Sequence, residues 1–83
     1  MDLLEEVASG LTRLGRSASV SGDGPNRVVE CRTGARYALV SLKNGELVVA
    51  FFESPTTMPA RKSNQQSAER VVEQVVGWVP ASA

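Results

Sequence analysis

The stretch ARYALVSLKNGELVVAFFE, residues 35–53, decides the fold of this 83-residue chain. Two apolar runs meet there at Asn44-Gly45, the pair that best tolerates positive φ at both central positions of a type I′ turn. A two-residue turn at that point fixes an antiparallel register. Lys43 faces Glu46, Leu42 faces Leu47, Val40 faces Val49, Ala38 faces Phe51, Tyr37 faces Phe52 and Arg36 faces Glu53. The end pairs are opposite charges and those between are apolar or aromatic, the combination that stabilises paired strands.

Working back from this hairpin, residues 27–33 alternate, with Val29 and Cys31 on one side and Val28, Glu30 and Arg32 on the other. If Thr33-Gly34 is a two-residue turn, Val29 sits opposite Ala38 and Cys31 opposite Arg36. Val29, Cys31, Ala38, Val40, Leu42, Leu47, Val49 and Phe51 then share one face, which we read as the core face. A longer, bulged loop would shift the strand by one residue and exchange the faces of Val28 and Val29. Residues 16–21 alternate too, with Ala18 and Val20 opposed to Ser17, Ser19 and Ser21, as in a short edge strand. Gly22-Asp23-Gly24-Pro25-Asn26 is the densest turn cluster and separates these two strands.

Both ends read as helices. Asp2 with Glu5 makes a relaxed capping box, and Leu3, Leu4, Val7, Leu11 and Leu14 follow at helical spacing until Gly15 stops the pattern. Gly10, costly inside a helix, points to close packing on a neighbour. After Glu53, residues 54–62 carry two prolines and no period, which predicts an irregular crossing over the sheet end. Ser63 and Gln66 fit a second capping box, and Ala68, Val71, Val72, Val75, Val76 and Val79 hold i, i+3, i+4 spacing past Trp78. The valines favour a strand by propensity, but the spacing and the polar stripe of Gln65, Glu69, Arg70 and Glu73 favour a helix. Gly77 and Pro80 end it, leaving residues 81–83 as a frayed tail. The expected fold is a single small α+β domain spanning residues 1–83. It has two layers: a four-stranded antiparallel meander with the N-terminal and C-terminal helices packed on one face, in the order α-β-β-β-β-α.

Composition narrows the function classes. Nine basic residues balance nine acidic ones, so no net field steers the chain toward nucleic acid or a membrane surface. The chain has no histidine, which removes the commonest general base and the commonest metal ligand. Its one cysteine cannot form an internal disulfide, and Cys31, on the core face and without a histidine partner, reads as a small hydrophobe. The apolar runs are too short for a membrane span or a signal-peptide core, which predicts a cytoplasmic protein. Glu5, Glu6, Glu69 and Glu73 fall on or beside solvated helix faces, and Glu30 reads as half of a cross-strand pair. Gly22-Asp23-Gly24 lacks the lysine and following helix that a phosphate loop requires. The expectation is no enzymatic activity, no cofactor and no metal.

Two surfaces remain as candidates. The outer sheet face, opposite the core, carries Val28, Tyr37, Leu39, Val48, Ala50 and Phe52 among charged and polar neighbours, where a solvated face would be mostly polar. An apolar, aromatic centre with a charged rim is the composition of an interface. We therefore expect Val28, Tyr37, Leu39, Val48 and Phe52 to bind another protein, or a second copy in a homodimer, unless the 54–62 loop or the tail folds over them. The chain would then serve as an adaptor, a chaperone-like subunit or a small inhibitor. The second surface is Arg61 and Lys62, placed by this reading just before the second helix, where unpaired N–H groups favour an anion.

The helix, strands, helix order ending in Arg61-Lys62-Ser63 is similar to the double-stranded RNA-binding domain, whose second helix opens with basic residues aimed at phosphates. That resemblance implies nucleic acid as the alternative partner. Only Arg61 and Lys62 correspond to the family's basic cluster, and its histidine-bearing loop has no counterpart here. A nucleic-acid surface would also need Arg13, Arg16 and Arg70 beside them. Separately, residues 3–15, the Asp23-Gly24 turn and the hairpin from Tyr37 to Phe52 look like the first half of small secretion chaperones of the type III class. The later strands and final helix of those chaperones are missing.

Overall fold

A computed structural model describes residues 2–54 and 58–80. The elements are α1 (Leu3–Arg13), β1 (Ala18–Ser21), a 3-10 turn (Gly24–Asn26), β2 (Val28–Thr33), β3 (Arg36–Lys43), β4 (Glu46–Glu53), β5 (Arg61–Gln65) and α2 (Ala68–Trp78). The fold is α+β, with the strands forming one antiparallel sheet in chain order. The frayed tail expected at 81–83 and the middle of the expected 54–62 loop lie outside the described residues.

The hairpin forms in the register its turn dictates. Asn44 has φ 52° and Gly45 φ 80°, as a I′ turn requires, and all the pairs from Lys43 with Glu46 to Arg36 with Glu53 follow. The ladder continues past the strands, where the Ser54 amide donates to the Ala35 carbonyl at 2.6 Å.

The join between β2 and β3 departs from expectation. Its turn is Gly34-Ala35, not Thr33-Gly34, so Val29 pairs with Val40 and Cys31 with Ala38. Gly34 is the only residue of the three with positive φ, 63°, and glycine at the first central position is what a II′ turn demands. The slip is of two residues, so every side chain keeps its face.

The sheet has five strands, not four. β5 is built from residues 61–65, which the sequence divides between an irregular loop and a helix start. The Ala60 amide donates to the Phe51 carbonyl at 2.7 Å, and Arg61 then pairs with Phe51 to open the ladder along β4. The Ser63–Gln66 capping box therefore does not form. Ser67 is the N-cap instead, its Oγ accepting from the Arg70 amide at 3.2 Å, and α2 begins at Ala68.

At the other end Asp2 caps α1, its Oδ1 accepting from the Glu5 amide at 2.9 Å. That bond, and secondarily the Arg27 guanidinium paired with its other oxygen, hold the Asp2 carboxyl below the ordinary carboxylate value. The C-terminus of α1 is a Schellman motif: Gly15, at φ 82°, donates to the Thr12 carbonyl and Arg16 to the Leu11 carbonyl.

Val29, Cys31, Ala38, Val40, Leu47, Val49 and Phe51 are fully buried and form one cluster with Leu4, Val7 and Leu11 from α1 and Val71, Val75 and Val79 from α2 and its cap. Leu42, expected among them, is 37% exposed, although its cross-strand partner Leu47 is fully buried. The helices touch at Gly10, where a Cβ would come within 2.9 Å of Val72 Cγ2. Gly10 thus serves the close packing that its place in the helix implied.

Two arginines close the ends. The helix C-terminus leaves its last carbonyls without intrahelical donors. Arg16 reaches from the other end of the sequence to supply them, Nε donating to Val79 O at 3.1 Å and Nη2 to Val76 O at 3.2 Å, while Nη1 donates to Leu14 O at 2.7 Å. One cation thereby sits on the C-terminal ends of both helices, where the macrodipole favours it. Arg36 lies over the Trp78 ring at 4.6 Å, and Trp78 Nε1 donates to Phe52 O at 2.9 Å, tying α2 to β3 and β4.

Candidate protein-binding face

Cross-strand pairing and the alternation of the pleat determine what each face carries. The residues pointing away from the core fall into rows. One row is Ser21, Val28, Ser41, Val48 and Asn64; the next is Ser19, Glu30, Leu39, Ala50 and Lys62; the third holds Arg32, Tyr37 and Phe52.

The third row is the most structured. Tyr37 and Phe52 stack with ring centroids 4.8 Å apart and planes 5° from parallel. The Arg32 guanidinium lies 4.3 Å from the centre of the Tyr37 ring, a cation–π contact. The sequence had put Glu30 opposite Tyr37. The two-residue slip replaces it with Arg32, so the aromatic pair is capped by a cation and Glu30 moves beside Leu39.

Of the five residues expected to bind protein, Tyr37, Phe52, Leu39 and Val48 are brought together on adjacent strands with Ala50 between them. Val28 is set apart. It pairs with Ser41 and so meets Leu39 only diagonally. Val28, Tyr37, Leu39, Val48 and Phe52 are all half-buried, in contrast to the inward row at 0% exposure. β5 adds Lys62 and Asn64 to the rim, which the sequence missed because it saw no strand there. Asn64 Nδ2 donates to Glu46 Oε2 at 3.1 Å and holds that rim carboxylate.

Of the segment expected to cross the sheet end, residues 55–57 lie outside the described residues. Lys62 is exposed within β5 at the sheet edge, and Met58 is 76% exposed.

Arg61 and Lys62 do not stand at the start of α2, where the sequence reading placed them. They alternate along β5, so Arg61 turns inward with its guanidinium 4.7 Å from the centre of the Phe51 ring, whereas Lys62 turns to the outer face. The N-terminus of α2 lies beyond them at Ser67. Arg16, which a nucleic-acid surface would also have needed, is occupied by helix carbonyls. Cys31 is fully buried on the core face; burial pushes its thiol up, against a smaller downward pull from the Arg16 charge. Among the described residues no group of histidine, cysteine, aspartate and glutamate is placed to hold a metal, and no helix is long and apolar enough to cross a membrane.

Comparison with protein-family models, curated proteins and solved structures finds no match to this chain.

Proposed function

We propose that this chain is a small, non-enzymatic, cytoplasmic protein-binding module, of the adaptor, chaperone-like or inhibitor kind, and that its outer sheet face is the binding surface. The reading takes the architecture as two layers, with both helices on the core face and the other face left for a partner protein. The stacked pair of Tyr37 and Phe52 under Arg32 carries the proposal. Aromatic and arginine side chains are the types that dominate interface energetics, and here they sit beside Leu39, Ala50 and Val48 inside a rim of Glu30, Lys43, Glu46 and Lys62.

The test is the double substitution Tyr37→Ser with Phe52→Ser. Since the core lies on the other face, the variant should fold, with a thermal transition lowered by about 4–8 °C for the lost cross-strand pair. Partners retained by the immobilised wild-type chain are then titrated against both proteins. The double variant should bind on the order of 2 kcal/mol more weakly. A folded variant that binds at wild-type strength removes the outer face from consideration. If the retained species is duplex RNA, lost on changing Arg61 and Lys62 to Glu, the nucleic-acid reading replaces this one.

A further inference from the structure

The two edges of the sheet are defended unequally. β5 bears Arg61 and Lys62, and charged side chains along an edge strand discourage further pairing. At the other edge, residues 17–21 read Ser-Ala-Ser-Val-Ser, with neither charge nor proline. Their backbone polarity is set by one bond: the Arg32 amide donates to the Ser17 carbonyl at 3.4 Å. In an antiparallel ladder with Ala18 opposite Cys31, that bond turns Ser17, Ser19 and Ser21 toward β2. Ala18 and Val20 then direct their N–H and C=O groups outward, where, among the described residues, the sheet has no further strand. Val20 also ends a row of valines across the core face. Val29, Val40 and Val49 in that row are 0% exposed and Val20 is 39% exposed.

We propose that β1 is a homodimer edge, at which a second copy of this chain pairs antiparallel with β1 about a two-fold axis through Ser19, normal to the sheet. The segment suits its own copy because it is nearly palindromic about Ser19, with serine at 17 and 21 and small apolar residues at 18 and 20. The two-fold sets Ala18 against Val20 of the second copy and the reverse. These are the residues with outward backbone groups, so both pairs exchange N–H···O=C bonds. Each exposed Val20 gains an apolar neighbour in its row, and Ser19 meets Ser19 at the axis. A formal net charge of zero leaves no net repulsion between copies. Both outer faces point the same way in this dimer, so the pairing does not depend on the binding face proposed above.

The experiment measures the mass of the 8.8 kDa chain by sedimentation across a concentration series. The wild type should dimerise. Val20→Pro removes an outward N–H that the β2 ladder does not use, so the monomer should stay folded while dimerisation weakens roughly tenfold or more. Ser19→Lys and Ser19→Glu should each be monomeric, because like charges would meet at the axis, and an equimolar mixture of the two should recover a mixed dimer. The Tyr37→Ser, Phe52→Ser variant should dimerise like the wild type. A wild type that stays monomeric overturns the proposal, as does a dimer unmoved by all three β1 substitutions.

Discussion

Phe51 and Phe52 are neighbours in the chain and opposites in the fold. Phe51 is fully buried, packed edge-on against Trp78 at 6.0 Å and covered by the Arg61 guanidinium. Phe52 is half-buried and stacks on Tyr37 across the strand. The two faces of β4 are about equally apolar in sequence, so hydrophobicity does not tell core from surface. What separates them is that Val29, Cys31, Ala38, Val40, Val49 and Phe51 join the apolar residues of the two helices in one buried cluster, whereas Phe52 and its row do not.

The largest expected effect tests this contrast. Phe51→Ala should cost about 3–5 kcal/mol in urea unfolding, the usual range for emptying a packed aromatic site. Phe52→Ala should cost about 1 kcal/mol, the scale of a lost cross-strand pair. Equal costs would mean that the outer face is a second core. An intermediate effect probes the helix ends: Arg16→Gln leaves the Val76 and Val79 carbonyls without their donor and should cost about 2 kcal/mol, the order of hydrogen bonds made by a charged group. The smallest effect separates two serines. Ser67→Ala should cost about 1 kcal/mol as a lost N-cap, whereas Ser63→Ala, which gives up only the bond its Oγ accepts from Gln65 Nε2 at 2.9 Å within β5, should cost about 0.5 kcal/mol. A larger loss at Ser63 would restore the helix start that the sequence pattern suggested.

How much was legible follows from how local each signal was. The hairpin could be read because Asn44-Gly45 leaves a single good turn, and eight pairs then follow from it. The β2–β3 turn offered two placements of one glycine. The wrong one still gave the right faces, since a slip of two preserves the pleat. β5 was hidden because its inward residues are Arg61, Ser63 and Gln65, and an edge strand need not alternate apolar with polar. Its polar residues looked like a loop, and Ser63 with Gln66 imitated a cap. At the candidate face, Tyr37 with Phe52 was readable from the hairpin. Arg32 over Tyr37 needed the β2 register, and Lys62 and Asn64 needed a strand that was not seen. The role of Arg16 depends on partners 60 and 63 residues away, beyond the reach of any local pattern.

That separation bears on how the chain assembles during synthesis. Each strand of the meander pairs with its predecessor as soon as it has emerged, so the sheet can grow in the order the residues are made. The α2 part of the core cannot be laid down until the end of that helix is out. Until Val79 is free to receive the guanidinium that has been waiting since residue 16, the part of the inward face that α2 completes is open to water and to other nascent chains. In this molecule the completed carbonyl clamp marks the moment at which the apolar face is withdrawn from them.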